Sequence, residues 1–275
     1  MTSSRNDSPS DSYWRLSTQP LHILVFLLPL IVVYEIGSLV YLHDTTTGVM
    51  HTVGAKNLLS RFFDVFGATS LHLPAITLVV VLLLWHVLTR ERWRIQPGVL
   101  VGMLMEATVL VLPLLVLGLI VYRKIDESHL AAVSPAALGT DGQRLMTPTE
   151  ALRQFSWQSR LTLSIGAGLY EELVFRLLLI TALHLVLADI LRLSRGVAAV
   201  VACVASAVAF AFYHDVSYAG LRGAADLRKL IFLTIAGVYF GVVFLLRGFG
   251  IVVAAHALYD VVVLVVIGSE RAAAD

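Results

Sequence analysis

Long apolar runs separated by short polar stretches make up almost the whole chain. Seven runs stand out, at about 21–42, 70–89, 98–122, 161–188, 197–214, 228–247 and 249–268. Each is close to the ~20 apolar residues that a helix needs to cross the hydrocarbon core of a bilayer. The pattern predicts an all-α fold, a polytopic bundle of about seven to eight transmembrane helices. The eighth would come from the break at 123–160, where Thr147-Pro148-Thr149-Glu150 has the form of a capping box with proline at the first helical position. Leu152 and Phe155 then share one face of a short helix at the membrane surface. Residues 1–18 are polar and read as a disordered tail, which leaves 19–275 as a single integral-membrane domain. The first run is too long for the core of a signal peptide and has no small-residue cleavage site after it, so it reads as a retained span.

Composition agrees with lipid as the solvent. The chain is 58% hydrophobic and 14% charged, with a mean hydropathy of +0.83, whereas a soluble domain carries roughly 25% charged residues. A net charge of +1 argues against a nucleic-acid partner. The single cysteine, Cys203, excludes an intramolecular disulfide and a cysteine-based metal cluster, and reads as a small buried hydrophobe. The arginine-rich turn Thr89-Arg90-Glu91-Arg92-Trp93-Arg94 is the clearest positive-inside signal. It places that loop, and with it the amino terminus, in the cytoplasm. No internal repeat is visible.

Against this background Leu169-Tyr170-Glu171-Glu172-Leu173-Val174-Phe175-Arg176 is anomalous, because ionisable groups at bilayer depth are expensive and mark functional sites. Glu172 and Arg176 are four residues apart, so they meet on one helix face in the favourable acid-first order. Glu171 points about 100° around the helix, without that counter-ion, and is the better candidate for a general base. A structural ion cluster that fixes helix packing is the competing explanation at this point. Two further polar groups interrupt apolar runs, at Phe210-Ala211-Phe212-Tyr213-His214 and at His256-Ala257-Leu258-Tyr259-Asp260. Glu171 lies about ten residues into its run and His256 about twelve from the end of its own. At ~1.5 Å per residue both are roughly 15–18 Å from one membrane face, with His214 on that side but shallower.

EELVFR fits the pattern EExxxR, FAFYH fits FxxxH and HALYD fits HxxxN/D. Each string alone is weak. All three, in this order and within apolar segments, resemble the CAAX prenyl protease and bacteriocin-processing enzymes, the CPBP or Abi family of intramembrane proteases. The resemblance covers about 160–265, the motif-bearing core, and includes the GxxxG face of Gly237 and Gly241. It implies peptide-bond hydrolysis within the membrane, with Glu171 activating water and Glu172, Arg176 and Phe210 in support. It also implies that His214 holds the water, while His256 and Asp260 face the carbonyl oxygen. The family's prenyl-protein proteases have asparagine where Asp260 stands. An ionised aspartate would repel an oxyanion, so Asp260 is either protonated or an acceptor that orients His256, and the orienting role is expected.

The expected cofactor is none. Glu171, His214 and His256 also form the ligand set of a catalytic zinc site, which is the alternative, although no HExxH spacing preforms two ligands on one helix. Glu35 and Glu106, outside the motifs, read as packing residues, with Glu106 also able to line the cavity or meet a histidine. His22, His86 and His184 need no more than interface placement, and Tyr213 and Tyr259 no more than aromatic packing. The expected function is an intramembrane endopeptidase of the bacterial cytoplasmic membrane, with the lipid bilayer and a peptide or lipidated protein substrate as partners. The alternative is a non-catalytic immunity factor, scaffold or proton-coupled transporter using the same Glu/His cluster. Convergence of the three motifs on one water-accessible cavity separates the two, and the duplicated halves of a transporter are not seen.

Overall fold

The computed structural model describes residues 12–42, 53–67, 70, 72–122, 155–214 and 224–267. Among them every regular element is helical. A short α1 (Tyr13–Leu16) precedes α2 (Pro20–Tyr41), α3 (Gly54–Val65), α4 (Leu73–Thr89) and α5 (Pro97–Tyr122). Then come α6 (Trp157–Ile190), α7 (Arg195–Tyr213), α8 (Ala224–Arg247) and α9 (Phe249–Ile267). Six of these are long and apolar enough to cross a membrane, and α4 is a shorter apolar helix of 17 residues. The seven runs expected from sequence therefore correspond to α2 and α4–α9, each within a few residues of the expected bounds. The capping box at 147–150 and its surface helix lie outside the described residues. The outer surface carries large apolar side chains such as Ile36, Leu88, Val101 and Leu246, as lipid contact demands.

Chain reversal is sharp at one end of the bundle. Arg90 closes α4 and Arg192 follows α6, both in the left-handed region, at φ 53° and 57°. Gly248, at φ 81°, is the single residue between α8 and α9, a conformation glycine adopts without strain. Two spans depart from simple α-helix: α6 is π-helical over Leu173–Ile180 and Val186–Ile190, and α9 over Val261–Ile267. Side chains of neighbouring helices bond to carbonyls in two of these stretches. Ser206 Oγ donates to Phe175 O at 2.7 Å and Arg160 Nη1 to Leu264 O at 3.4 Å.

Small residues let the central helices touch. A Cβ on Gly168 of α6 would lie 2.7 Å from Ala257 N and 2.8 Å from Val253 O, so α6 and α9 meet backbone to backbone. Gly237 of α8 faces Ala207 of α7 in the same way, and Gly241 faces Cys203. The GxxxG face thus packs α8 on α7. Cys203 is buried there as a small hydrophobe, its Sγ 3.8 Å from Val238 O.

Two polar clasps hold the amino-terminal half, and of their members the sequence marked only the acids, Glu35 and Glu106. Between the first two apolar runs, where the sequence offers no span, α3 forms and inserts Lys56 into the bundle. Lys56 is fully buried, with Nζ 3.0 Å from Glu35 Oε1 and 4.6 Å from the Tyr34 ring centre. Tyr170 donates to the same Glu35 oxygen at 2.8 Å and His72 contacts the other. Burial pulls the Lys56 ammonium below its usual pKa range while Glu35 works against that shift. The second clasp corrects part of the disordered tail: α1 forms within residues 12–18, and Leu16 and Ser17 are buried. Tyr13 donates to Glu106 Oε2 at 2.5 Å, and Arg247 pairs with Glu106 and lies 3.8 Å from the Trp14 ring centre. Burial, with Glu106 beside it, pushes the Tyr13 phenol up to about 12. Glu106 therefore meets an arginine rather than a histidine. His22 and His86 lie at helix interfaces and are buried, His22 beside Gln96 and His86 edge-on to Trp93.

Two outcomes follow for thermal unfolding in detergent. Gly168→Val overpacks the α6–α9 contact and lowers stability by roughly 1–3 kcal/mol, whereas Gly98→Ala, with nothing within 4 Å of its Cβ position, is neutral. Lys56→Ala leaves Glu35 without its cation and costs roughly 3–5 kcal/mol.

Candidate active site

The three motifs lie on three different helices: Glu171, Glu172 and Arg176 on α6, Phe210 and His214 at the end of α7, and His256 and Asp260 on α9. The bundle brings all seven side chains together, and each is buried, with Glu171, Glu172 and Arg176 at zero exposure. The α6–α9 contact at Gly168 is the local cause, because it sets the glutamates one turn later directly against His256.

Glu172 is the centre of the arrangement. Its Oε2 lies 3.2 Å from Arg176 Nε, and its Oε1 lies 2.7 Å from His256 Nδ1. The first contact is the i,i+4 pair expected from spacing, and it survives the change to π-helix at Leu173. The second corrects the reading of Asp260. The carboxylate that orients His256 by a hydrogen bond is Glu172, whereas Asp260 Oδ2 is 3.6 Å from His256 Nε2, beyond hydrogen-bond range. An i,i+4 partner within α9 was legible, but an acid 84 residues away, with no motif spacing to α9, was not.

Glu171 is the carboxylate without a counter-ion. Neither of its oxygens accepts a hydrogen bond from a protein group, although the residue is fully buried. Its Oε2 is 3.5 Å from His214 Nε2 and 4.0 Å from His256 Nε2. His214 Nδ1 donates to Phe210 O at 2.9 Å, which fixes the tautomer and leaves the Nε2 lone pair aimed toward Glu171. His214 was expected shallower than Glu171. Its Nε2 comes within 3.5 Å of Glu171 Oε2, because His214 caps the end of α7 with its ring bonded back to Phe210 O.

Arg176 is held by the Glu172 ion pair, one hydrogen bond and two aromatic faces. Its Nη2 donates to Gly237 O at 3.3 Å, and its guanidinium carbon lies 4.4 Å from the Phe210 ring centre and 5.5 Å from that of Phe240. Phe240 of α8 is a site residue that no motif marked, and Gly237, expected only in the GxxxG packing face, supplies its carbonyl to Arg176. Tyr213 packs on Phe175 and His214, and Tyr259 stacks on Phe232, as aromatic packing predicts. Among the described residues no group of three or more His, Cys, Asp or Glu side chains is arranged to hold a metal ion. The arrangement thus presents one unpartnered carboxylate flanked by two imidazole nitrogens, which suits proton transfer to and from a small bound molecule.

Stability separates the two adjacent glutamates. Glu172→Gln strips the ion pair from buried Arg176 and lowers thermal stability by roughly 3–5 kcal/mol. Glu171→Gln removes a buried charge that has no hydrogen-bond partner and leaves the unfolding temperature unchanged or higher. Equal losses in a detergent thermal melt would contradict the assigned contacts.

No curated protein and no solved structure matches the chain significantly. Over the segment that carries all three motifs, residues 153–262 match the type II CAAX prenyl endopeptidase Rce1-like family.

Proposed function

We propose that the protein is an intramembrane endopeptidase that hydrolyses a peptide bond with a water molecule activated by Glu171. The observation that carries this reading is the fully buried, unpartnered Glu171 carboxylate facing Nε2 of both histidines. Separations of 3.5 and 4.0 Å are too long for direct hydrogen bonds and short enough for one water to reach all three atoms. Glu171 and His214 Nε2 both accept, so the two hydrogens of that water point at them and a lone pair points away, toward a substrate carbonyl.

Charge balance assigns the remaining roles. Three buried carboxylates against Arg176, the permanent cation paired with them among the described residues, leave two excess negative charges, which an apolar interior does not support. Neutrality is reached with His256 as imidazolium, its Nδ1–H on Glu172, and with Asp260 as the neutral acid. Both His256 Nε2–H and the Asp260 hydroxyl then donate to the carbonyl oxygen. In the reaction Glu171 takes a proton from water as the water oxygen bonds to the carbonyl carbon. The oxyanion is held by His256 and Asp260. On collapse the C–N bond breaks, and Glu171 returns the proton to the leaving amine. This scheme needs no metal. The partners are the bilayer of a bacterial cytoplasmic membrane and a membrane-bound peptide or lipidated protein.

The decisive experiment compares the membrane and exported proteomes of cells carrying wild type or Glu171→Ala. A peptide whose processing stops in the variant supports the reading, and identical proteomes overturn it. With that peptide as substrate, Asp260→Asn keeps activity within about threefold, while Asp260→Ala, which removes the donor, loses roughly 10²–10³-fold. Chelator treatment of the purified protein leaves the rate unchanged, and loss restored by added zinc would refute the metal-free scheme.

A further inference from the structure

Each imidazole of the site has a phenylalanine beside it, and only one of the two belongs to a recognised motif. Phe210, of the FxxxH string, lies 4.5 Å from the His214 ring. Its counterpart for His256 is Phe240 on α8, 2% exposed, whose ring centre is 4.6 Å from that of His256 with the planes 18° apart. Both phenylalanines also contact Arg176. Gly241, the next residue, is where α8 presses on Cys203 of α7, and Tyr239, the previous one, donates to Leu110 O of α5 at 2.8 Å. Phe240 is therefore mounted on a stretch of helix fixed from both sides.

We propose that Phe240 is a positioning residue that sets the plane of the His256 imidazole. The hydrogen bond to Glu172 holds one edge of that ring at Nδ1, but a single edge contact leaves the ring able to tilt about it. A flat aromatic face stacked on the imidazole removes that freedom, and Phe210, edge-on at 6.1 Å, bounds the other direction. The charged groups around the ring are Glu172 at Nδ1, Glu171 and Asp260 at Nε2, and Arg176 on the Phe240 ring. With the plane fixed, Nε2 stays directed at the point shared with Glu171. The consequence for rate depends on the hydrolytic function proposed above, whereas the placement itself does not.

The test uses full-length protein in nanodiscs with isotope-labelled histidine, His256 signals being assigned by their loss in His256→Gln. In wild type the His256 ring protons are shifted upfield by the stacked phenyl relative to those of His184, and an Nδ1–H resonance is seen far downfield. Ring protons at the position of His184 overturn the proposal without any variant at 240. Phe240→Leu, similar in size but not flat, loses or broadens the Nδ1–H signal while the His214 signals stay, and Phe240→Tyr keeps it. A folded Phe240→Leu or Phe240→Met protein with the signal intact overturns the proposal. With the peptide found by the Glu171→Ala comparison, Phe240→Leu lowers kcat roughly ten- to a hundredfold with KM within about twofold, and Phe240→Tyr restores it. A wild type that processes no peptide defeats the hydrolase reading and leaves the ring signals to decide the placement.

Discussion

A single carboxylate with two partners, Glu172 between Arg176 and His256, is the contact on which the site depends. A guanidinium deep in lipid must be compensated, and one glutamate four residues earlier does this within its own helix. The same carboxylate reaches across to α9 with its other oxygen and fixes a histidine. Structural neutralisation and positioning are thus one interaction. That arrangement frees Glu171, the neighbouring acid, from any duty as counter-ion and leaves its oxygens facing Nε2 of two imidazoles.

The surrounding helices make that geometry possible by close approach. Gly168 against Ala257 and Val253 brings the glutamates to His256, and Gly237 and Gly241 bring α8 to α7. The latter contact carries Phe240 and the Gly237 carbonyl to the ring of His256 and the guanidinium of Arg176. In a bilayer the apolar surfaces gain little by leaving lipid, so small residues and satisfied polar groups decide which helices pair. The π-helical stretch beginning at Leu173 fits this picture, because Ser206 bonds to its Phe175 carbonyl and joins α7 to α6 just beyond the glutamates.

Farther from the site, Glu35 with Lys56 and Glu106 with Arg247 are half-buried acids, each matched to a buried cation from another helix. They tie α3 to α2 and α6, and α1 to α5 and α8. Tyr170 links the first clasp to the motif helix one residue before Glu171. The amino-terminal half, which carries no motif, is thereby joined to the helix that carries the glutamates.

The amino-acid sequence by itself determined the spans, their order and the residue types of the site, because run length and helical spacing are local properties. Seven apolar runs were enough to place α2 and α4–α9, and the i,i+4 spacing was enough to pair Glu172 with Arg176. Only the tertiary structure decided that Glu172, not Asp260, hydrogen-bonds His256, that His214 comes within 3.5 Å of Glu171, and that Phe240 stacks on His256. It also decided that Lys56, Leu16 and Ser17 are packed into the bundle. Each of these depends on contact between helices far apart in the chain, and a polar residue's local spacing says nothing about which distant helix will face it.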